Sequence, residues 1–126
     1  MINKMVLAFG VLALNASAFA ADAPTLARGK EVFTYWCAIC HAEGDAFPGT
    51  VALRTKYQGQ LPAELEKRTD LTPAVVETFV RNGISIMPFF RKTEIGDADL
   101  DALAAYLSEP KAAVPEGRGA RRRSNP

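Results

Sequence analysis

WCAICH, residues 36–41, gathers two cysteines and a histidine into six positions, and the 126-residue sequence has no other cysteine or histidine. Side chains of these types at this spacing suit four kinds of chemistry: a disulfide, a metal site, a redox-active dithiol, or a covalent anchor for a prosthetic group. A disulfide between Cys37 and Cys40 closes so short a loop that it hardly constrains the unfolded chain, so stapling is a poor use for the pair. A closed structural zinc site needs four ligands, typically cysteine or histidine, and Cys37, Cys40 and His41 supply only part of that set.

A thiol-disulfide oxidoreductase remains an alternative, because Cys-x-x-Cys is also a dithiol motif. Such dithiols sit where a strand leads into a helix N-terminus, whose dipole favours the thiolate. Here the motif ends an apolar-periodic helical stretch, with no βαβ pattern around it. C-x-x-C-H is also the signature of covalent heme c attachment. Two thiols about a turn apart reach the two vinyl groups of one porphyrin edge as thioethers, and the adjacent histidine presents its imidazole to the iron. A heme iron that transfers electrons commonly has a second axial ligand, and His/Met ligation raises its potential.

Met1 and Met5 fall in a leader segment, which leaves Met87 as the methionine of the processed chain. Met87 lies in IMPFF, between two helical stretches, followed by Pro88, which fixes the backbone and has no N–H to satisfy. His41 and Met87 are therefore the expected axial iron ligands, with Cys37 and Cys40 as the covalent heme anchors. With both axial positions filled there is no open site for substrate or oxygen, so an electron carrier rather than an enzyme is expected. A vacant sixth position would instead make a heme enzyme or gas sensor.

The elements that must position these residues can be read from the chain. Residues 1–20 combine Lys4, an apolar run from Met5 to Leu14, and Ala18 and Ala20 around a cleavage signal, which predicts a signal peptide cut after Ala20. The run is shorter than the roughly 20 residues a membrane-spanning helix needs, and no second one follows. Export to the periplasm and no stable membrane insertion are expected. TLARGKEVFTYWCAIC is predicted as a first helix capped by Thr25, with Leu26, the Lys30 stem, Phe33 and Cys37 at helical spacing. Residues 41–60 read as a loop, and LPAELEKR from Leu61 as a short amphipathic helix opened by Pro62.

TPAVVETFVRNG predicts a helix capped by Thr72, with Val75, Val76, Phe79 and Val80 as its apolar face and Gly83 past its end. ISIMPFFRKTEIG follows irregularly. Asp97 is the expected cap of a last helix in which Leu100, Leu103, Ala104 and Leu107 share a face. No stretch alternates with period two, so the class is all-α, with one domain over residues 21–110. Residues 111–126 read as a disordered basic tail. Between Asp22 and Pro115 ten Lys and Arg stand against thirteen Asp and Glu, whereas Glu116–Pro126 has four Arg against one Glu. Four arginines without interleaved aromatics do not make a nucleic-acid surface.

From Thr25 to Ser108 the chain resembles a monoheme class I c-type cytochrome. GKEVFTYWCAICH resembles that family's first helix, and Leu103 with Tyr106 resembles the partner pair in its last. The resemblance implies a small cytochrome c fold of four to five helices around one covalent heme. Gly29 would then let the two helices cross closely, with Phe33 and Tyr106 packed near the heme edge. It also implies that the Pro48 carbonyl accepts a hydrogen bond from the His41 ring, which would orient the ligand. Arg54, Lys56, Tyr57 and Arg81 are candidates to meet the heme propionates. RNGISIMPFF followed by DADLDALAAYL is similar to small cytochromes that accept electrons from periplasmic flavin- or quinone-dependent dehydrogenases, such as the cytochrome subunit of p-cresol methylhydroxylase. That similarity implies such a dehydrogenase as donor and a cytochrome or oxidase of the respiratory chain as acceptor.

Overall fold

The structure, a computed structural model, describes residues 21–110; the predicted signal peptide and basic tail lie outside them. Every extended element in this range is helical: α1 Ala23–Val32, a π-helical turn Phe33–Cys37, α2 Ala38–His41, α3 Pro48–Tyr57, a 3-10 turn Leu65–Lys67, α4 Pro73–Asn82 and α5 Asp97–Ser108. Among the described residues the sole β-type pairing is an isolated bridge between Ile84 and Met87.

Helix α1 starts one turn earlier than Thr25 predicts. Asp22 is its N-cap, and the Asp22 carboxylate accepts from the Thr25 N–H at 3.1 Å. An aspartate there both satisfies a free N–H and places negative charge at the positive end of the helix, with Pro24 pre-set for the first turn. α4 follows its sequence signals: the Thr72 hydroxyl accepts from the Val75 N–H, Pro73 opens the first turn, and Gly83 ends the helix with φ +66°. Gly96 rather than Asp97 caps α5, a shift of one residue that puts Asp97 and Asp99 in its first turn.

Two stretches depart from the sequence reading. Residues 41–60 contain a ten-residue helix, α3, with Pro48 in its first turn and Gln58 in the left-handed conformation at its end. Its inward positions are Thr50, Leu53 and Tyr57, while Val51 and Ala52 point outward. With a threonine inward and two apolar residues outward, the 3.6-residue period was hidden. LPAELEKR is not a helix; only the 3-10 turn Leu65–Lys67 forms there. Tertiary contacts decide this segment, since Ala63 and Arg68 are both buried and Arg68 lies over the Tyr57 ring while pairing with Asp70.

The core is built by α1, α4 and α5: Val32 and Phe33 meet Val76, Val80, Ile95, Leu100, Leu103, Ala104 and Leu107. The predicted face of α5 is buried throughout. α1 crosses α5 at Gly29, where an added Cβ would lie 2.1 Å from the Ala102 carbonyl oxygen and 2.5 Å from the Tyr106 Cβ. Only a residue with no side chain allows this approach. One turn on, Phe33 and Tyr106 pack with their rings tilted at 51° and centroids 6.2 Å apart. The Arg28 guanidinium closes the crossing by bonding both Asp99 carboxylate oxygens, at 2.7 and 2.8 Å.

Candidate functional site

The motif residues stand on one continuous helical run from α1 to α2, interrupted by the π turn in which the Ala38 N–H reaches back to the Phe33 carbonyl. π turns inside helices concentrate at functional positions. Trp36, Cys37 and Ala38, three consecutive residues, all pack against the core. In a regular helix three such residues span about 200° of the circumference, and the widened turn eases that spread. Trp36 packs edge-on to Phe90, centroids 5.7 Å apart, and Phe90 lies three residues beyond Met87. The contact ties the helix bearing WCAICH to the segment bearing Met87.

Cys37 and Cys40 are free thiols, both half-buried. Burial pushes the Cys37 thiol up to about 12, with Cys40 adding to the effect. A reactive dithiol needs the opposite shift, and among the described residues no strand leads into the motif. The thiol-disulfide alternative is therefore without structural support. A zinc reading also lacks a donor set, since among the described residues no three His, Cys, Asp or Glu side chains converge as a metal site.

His41 ends α2. Its Nδ1 is buried with no hydrogen-bond partner, so the bond it is expected to donate to the Pro48 carbonyl is not made in this structure. What the Pro48 turn does supply is contact: a Cβ on Gly49 would fall 2.7 Å from both the His41 Cε1 and the Cys40 carbonyl oxygen, so α3 presses its first turn onto the ring. Burial lowers the His41 pKa, favouring the neutral imidazole that binds metals. Thr50, a residue the sequence reading missed, is fully buried and donates from its hydroxyl to the Ala42 carbonyl at 2.8 Å. It pins the chain just after His41. A polar residue on the inward side of an undetected helix gave no apolar signal to find it by.

Met87 is half-buried at the end of a tight turn. The Ile84 N–H donates to the Met87 carbonyl at 3.0 Å and the Met87 N–H returns to Ile84 at 2.9 Å, with Ser85 at φ +55° between them. Gly83 is required beneath it, because a Cβ there would sit 2.6 Å from the Met87 carbonyl. Large apolar side chains on α2, α3, α4 and this segment are exposed: Ile39, Val51, Val75, Phe79, Ile84, Ile86 at 78% and Phe89 at 60%. Val75 and Phe79 belong to the predicted apolar face of α4, of which the protein itself covers only Val76 and Val80.

Exposed apolar side chains from four parts of the chain, two free thiols three residues apart on one helical run and an imidazole with a buried unpaired nitrogen fit a large apolar group with a metal at its centre. The candidate propionate ligands all make contacts within the chain, Tyr57 beneath the Arg68 guanidinium. Arg54 pairs with Asp45 and Glu64, Lys56 lies over the Tyr57 ring, and Arg81 bonds two backbone carbonyls and Asp97. Among the described residues no helix is long and apolar enough to cross a membrane.

Comparison with known proteins gives the site a context. Residues 24–107 match the family described as cytochrome C oxidase, cbb3-type, subunit III. The chain is 34% identical over 99 residues to cytochrome c6 of Synechocystis sp. (strain ATCC 27184 / PCC 6803 / Kazusa), an alignment covering 78% of this chain and 73% of the relative. It is 35% identical over 100 residues to cytochrome c6 of Picosynechococcus sp. (strain ATCC 27264 / PCC 7002 / PR-6), covering 79% and 82%. A third relative, the cbb3-type cytochrome c oxidase subunit CcoP of Azospirillum sp. (strain B510), is 34% identical over 104 residues, spanning 77% of this chain and 32% of its own length.

Proposed function

The chain belongs to the c-type cytochrome family, whose cofactor is heme c and whose work is carrying electrons, and on that premise we propose that Cys37 and Cys40 hold one heme through thioethers while His41 and Met87 are its axial ligands. The bound group supplies a one-electron Fe(III)/Fe(II) couple. The observation that carries the residue assignment is the His41 ring: Gly49 lies against its Cε1–Nδ1 edge, where an added Cβ would fall 2.7 and 2.8 Å away, so α3 closes the Nδ1 side and Nε2 is the nitrogen left for a metal.

The other residues have parts that follow from their positions. α1 and the π turn fix both thiols relative to His41. The Ile84–Met87 turn presents Met87, and Trp36 against Phe90 holds that turn close to the motif. Val75, Phe79, Ile84, Ile86 and Phe89 exclude water, which sharpens the electrostatic influence of nearby groups on the iron. Phe33 and Tyr106 close the far side of the motif. Their contact with each other beside the Gly29 crossing is the pairing that the family resemblance implies. Pro48 serves chiefly by starting α3, with its carbonyl as the acceptor for His41 once the ring is oriented by ligation.

The protein works in the periplasm, exported by residues 1–20, with residues 111–126 as a basic tail on a domain of residues 21–110. It takes electrons from a flavin- or quinone-dependent dehydrogenase and passes them to a cytochrome or oxidase. Likeness to an oxidase subunit supports the acceptor side, and the RNGISIMPFF segment supports the donor side. Such exchanges use small transient contacts, at the low end of interface sizes.

The mass of the purified protein, read with its absorption spectrum, tests the cofactor and its anchors. One heme added to a chain beginning at Ala21 is expected, and Cys37→Ser should leave a single thioether. A colourless protein, or full covalent attachment in the serine variant, would overturn the assignment. In Met87→Ala the ferric sulfur-to-iron charge-transfer band should vanish and the potential fall; an unchanged spectrum would remove Met87 from the iron.

A further inference from the structure

The segment between α4 and α5, residues 83–96, carries Met87 and contains no helix. Its first half is shaped by backbone: the reversal at Gly83, the Ile84–Met87 pairing, and the Phe90 N–H donating to the Val80 carbonyl at 2.8 Å. Its return to α5 carries a local Arg91–Glu94 turn and is tied back to α4 by the Arg81 side chain. Arg81 Nη1 donates to the Phe90 carbonyl at 3.1 Å and to the Ile95 carbonyl at 2.9 Å, and Nη2 donates to Asp97 Oδ1 at 2.9 Å. Ile95 is fully buried, the Phe90 ring lies on Trp36, and Asp97 is the first residue of α5. A single guanidinium in the last turn of α4 thus fastens three points along the far limb of the Met87 segment. The Lys92 ammonium holds the same Asp97 carboxylate from its other oxygen at 2.7 Å.

We propose that Arg81 is a positioning residue that keeps Met87 at the iron by clamping the backbone of its segment, rather than a residue that meets the heme. The inference rests on the reading of Met87 as axial ligand. Charge-assisted bonds to carbonyls are strong, and removal of the donor strands a part-buried carbonyl at Ile95. Opening the segment then becomes easier, and a ligand competing for the iron gains in proportion. Lysine keeps the charge but lacks the planar fork that serves two carbonyls and a carboxylate together, so it should restore the clamp only in part.

The experiment uses the full ferric holoprotein and added imidazole as the competing ligand, with R81Q, R81K and M87A beside the natural chain. The sulfur-to-iron band and the midpoint potential report the ligand, and the far-ultraviolet helix signal reports the fold. M87A should lack the band. R81Q should keep band and helix signal but bind imidazole at least about tenfold more tightly, the worth of roughly one charge-assisted bond, with R81K in between. If M87A retains the band, the ligand reading fails and the clamp fails with it. If M87A loses the band while R81Q binds imidazole within about twofold of the natural chain, Met87 is the ligand and the role of Arg81 is refuted. Should R81Q not fold, R81K decides by the same comparison.

Discussion

Gly29→Ala sets two effects of opposite sign against each other. At the α1–α5 crossing the new Cβ would stand 2.1 Å from the Ala102 carbonyl oxygen and 2.5 Å from the Tyr106 Cβ, against an ordinary contact of 3.4 Å or more. Neither neighbour can rotate away, since one is backbone and the other is the root of a side chain. The helices must separate by about 1.3 Å, the difference between 3.4 and 2.1 Å. That separation loosens Val32 and Phe33 against Leu103 and Leu107 and disturbs the tilted Phe33–Tyr106 pair. Overpacking of this kind costs about 1–3 kcal/mol, and a backbone clash puts it near the upper figure. Alanine's better helix propensity returns about 1 kcal/mol. The net is a loss of about 2 kcal/mol, or roughly 10 °C in Tm for a domain of this size. Thermal unfolding of the ferric holoprotein by circular dichroism reads it directly. A Tm equal to or above that of the natural chain would show that propensity outweighs the crossing, and the close-approach account would fall.

Thr50→Val keeps the shape of a fully buried residue but removes the hydroxyl bond to the Ala42 carbonyl; we expect about 1–2 kcal/mol less stability in urea unfolding and greater exchange of the amides around His41. Unaltered stability would mean the hydroxyl does not pin that turn. Trp36 is the only tryptophan and neighbours Cys37, so its fluorescence should be quenched in the holoprotein and return when the heme is removed; bright emission from the intact holoprotein would place the indole away from the iron. Asp70, Asp97 and Asp99 are each held below the usual carboxylate range, by the hydrogen bonds of Arg68, Lys92 and Arg28 respectively. Groups ionised more readily in the fold than in the unfolded chain contribute stability above about pH 4 that is lost as pH falls through their lowered folded values. The urea midpoint should therefore drop on acidification below about pH 4, and less steeply in D70N; equal slopes would take Asp70 out of that account.

Much of the fold was legible because local signals and burial agreed. Thr72, Pro73 and Gly83 bound α4 as their chemistry dictates, and every residue of the expected α5 face is buried. α3 was not legible, because the residue that anchors it inward is Thr50, whose place depends on a carbonyl eight residues back. The 61–68 stretch failed for the converse reason: its helical pattern is overruled by the burial of Ala63 and of Arg68, which finds Asp70 and the Tyr57 ring. The residues proposed for the site stood out in the sequence for their chemistry, whereas the residues that hold them in place did not.

The sequence by itself determined the chemistry available to this protein: one pair of thiols, one imidazole, one methionine after residue 20, and helices of suitable length to carry them. Composition and spacing are local properties, so a linear reading reaches them. Only the tertiary structure decided how these groups are held. The π turn that carries Trp36 to Phe90, the first turn of α3 on the His41 ring, and the Arg81 bonds across residues 90–97 all join positions distant in sequence. Such contacts form only once α1, α4 and α5 have packed, because each depends on where the chain returns rather than on what any one stretch prefers.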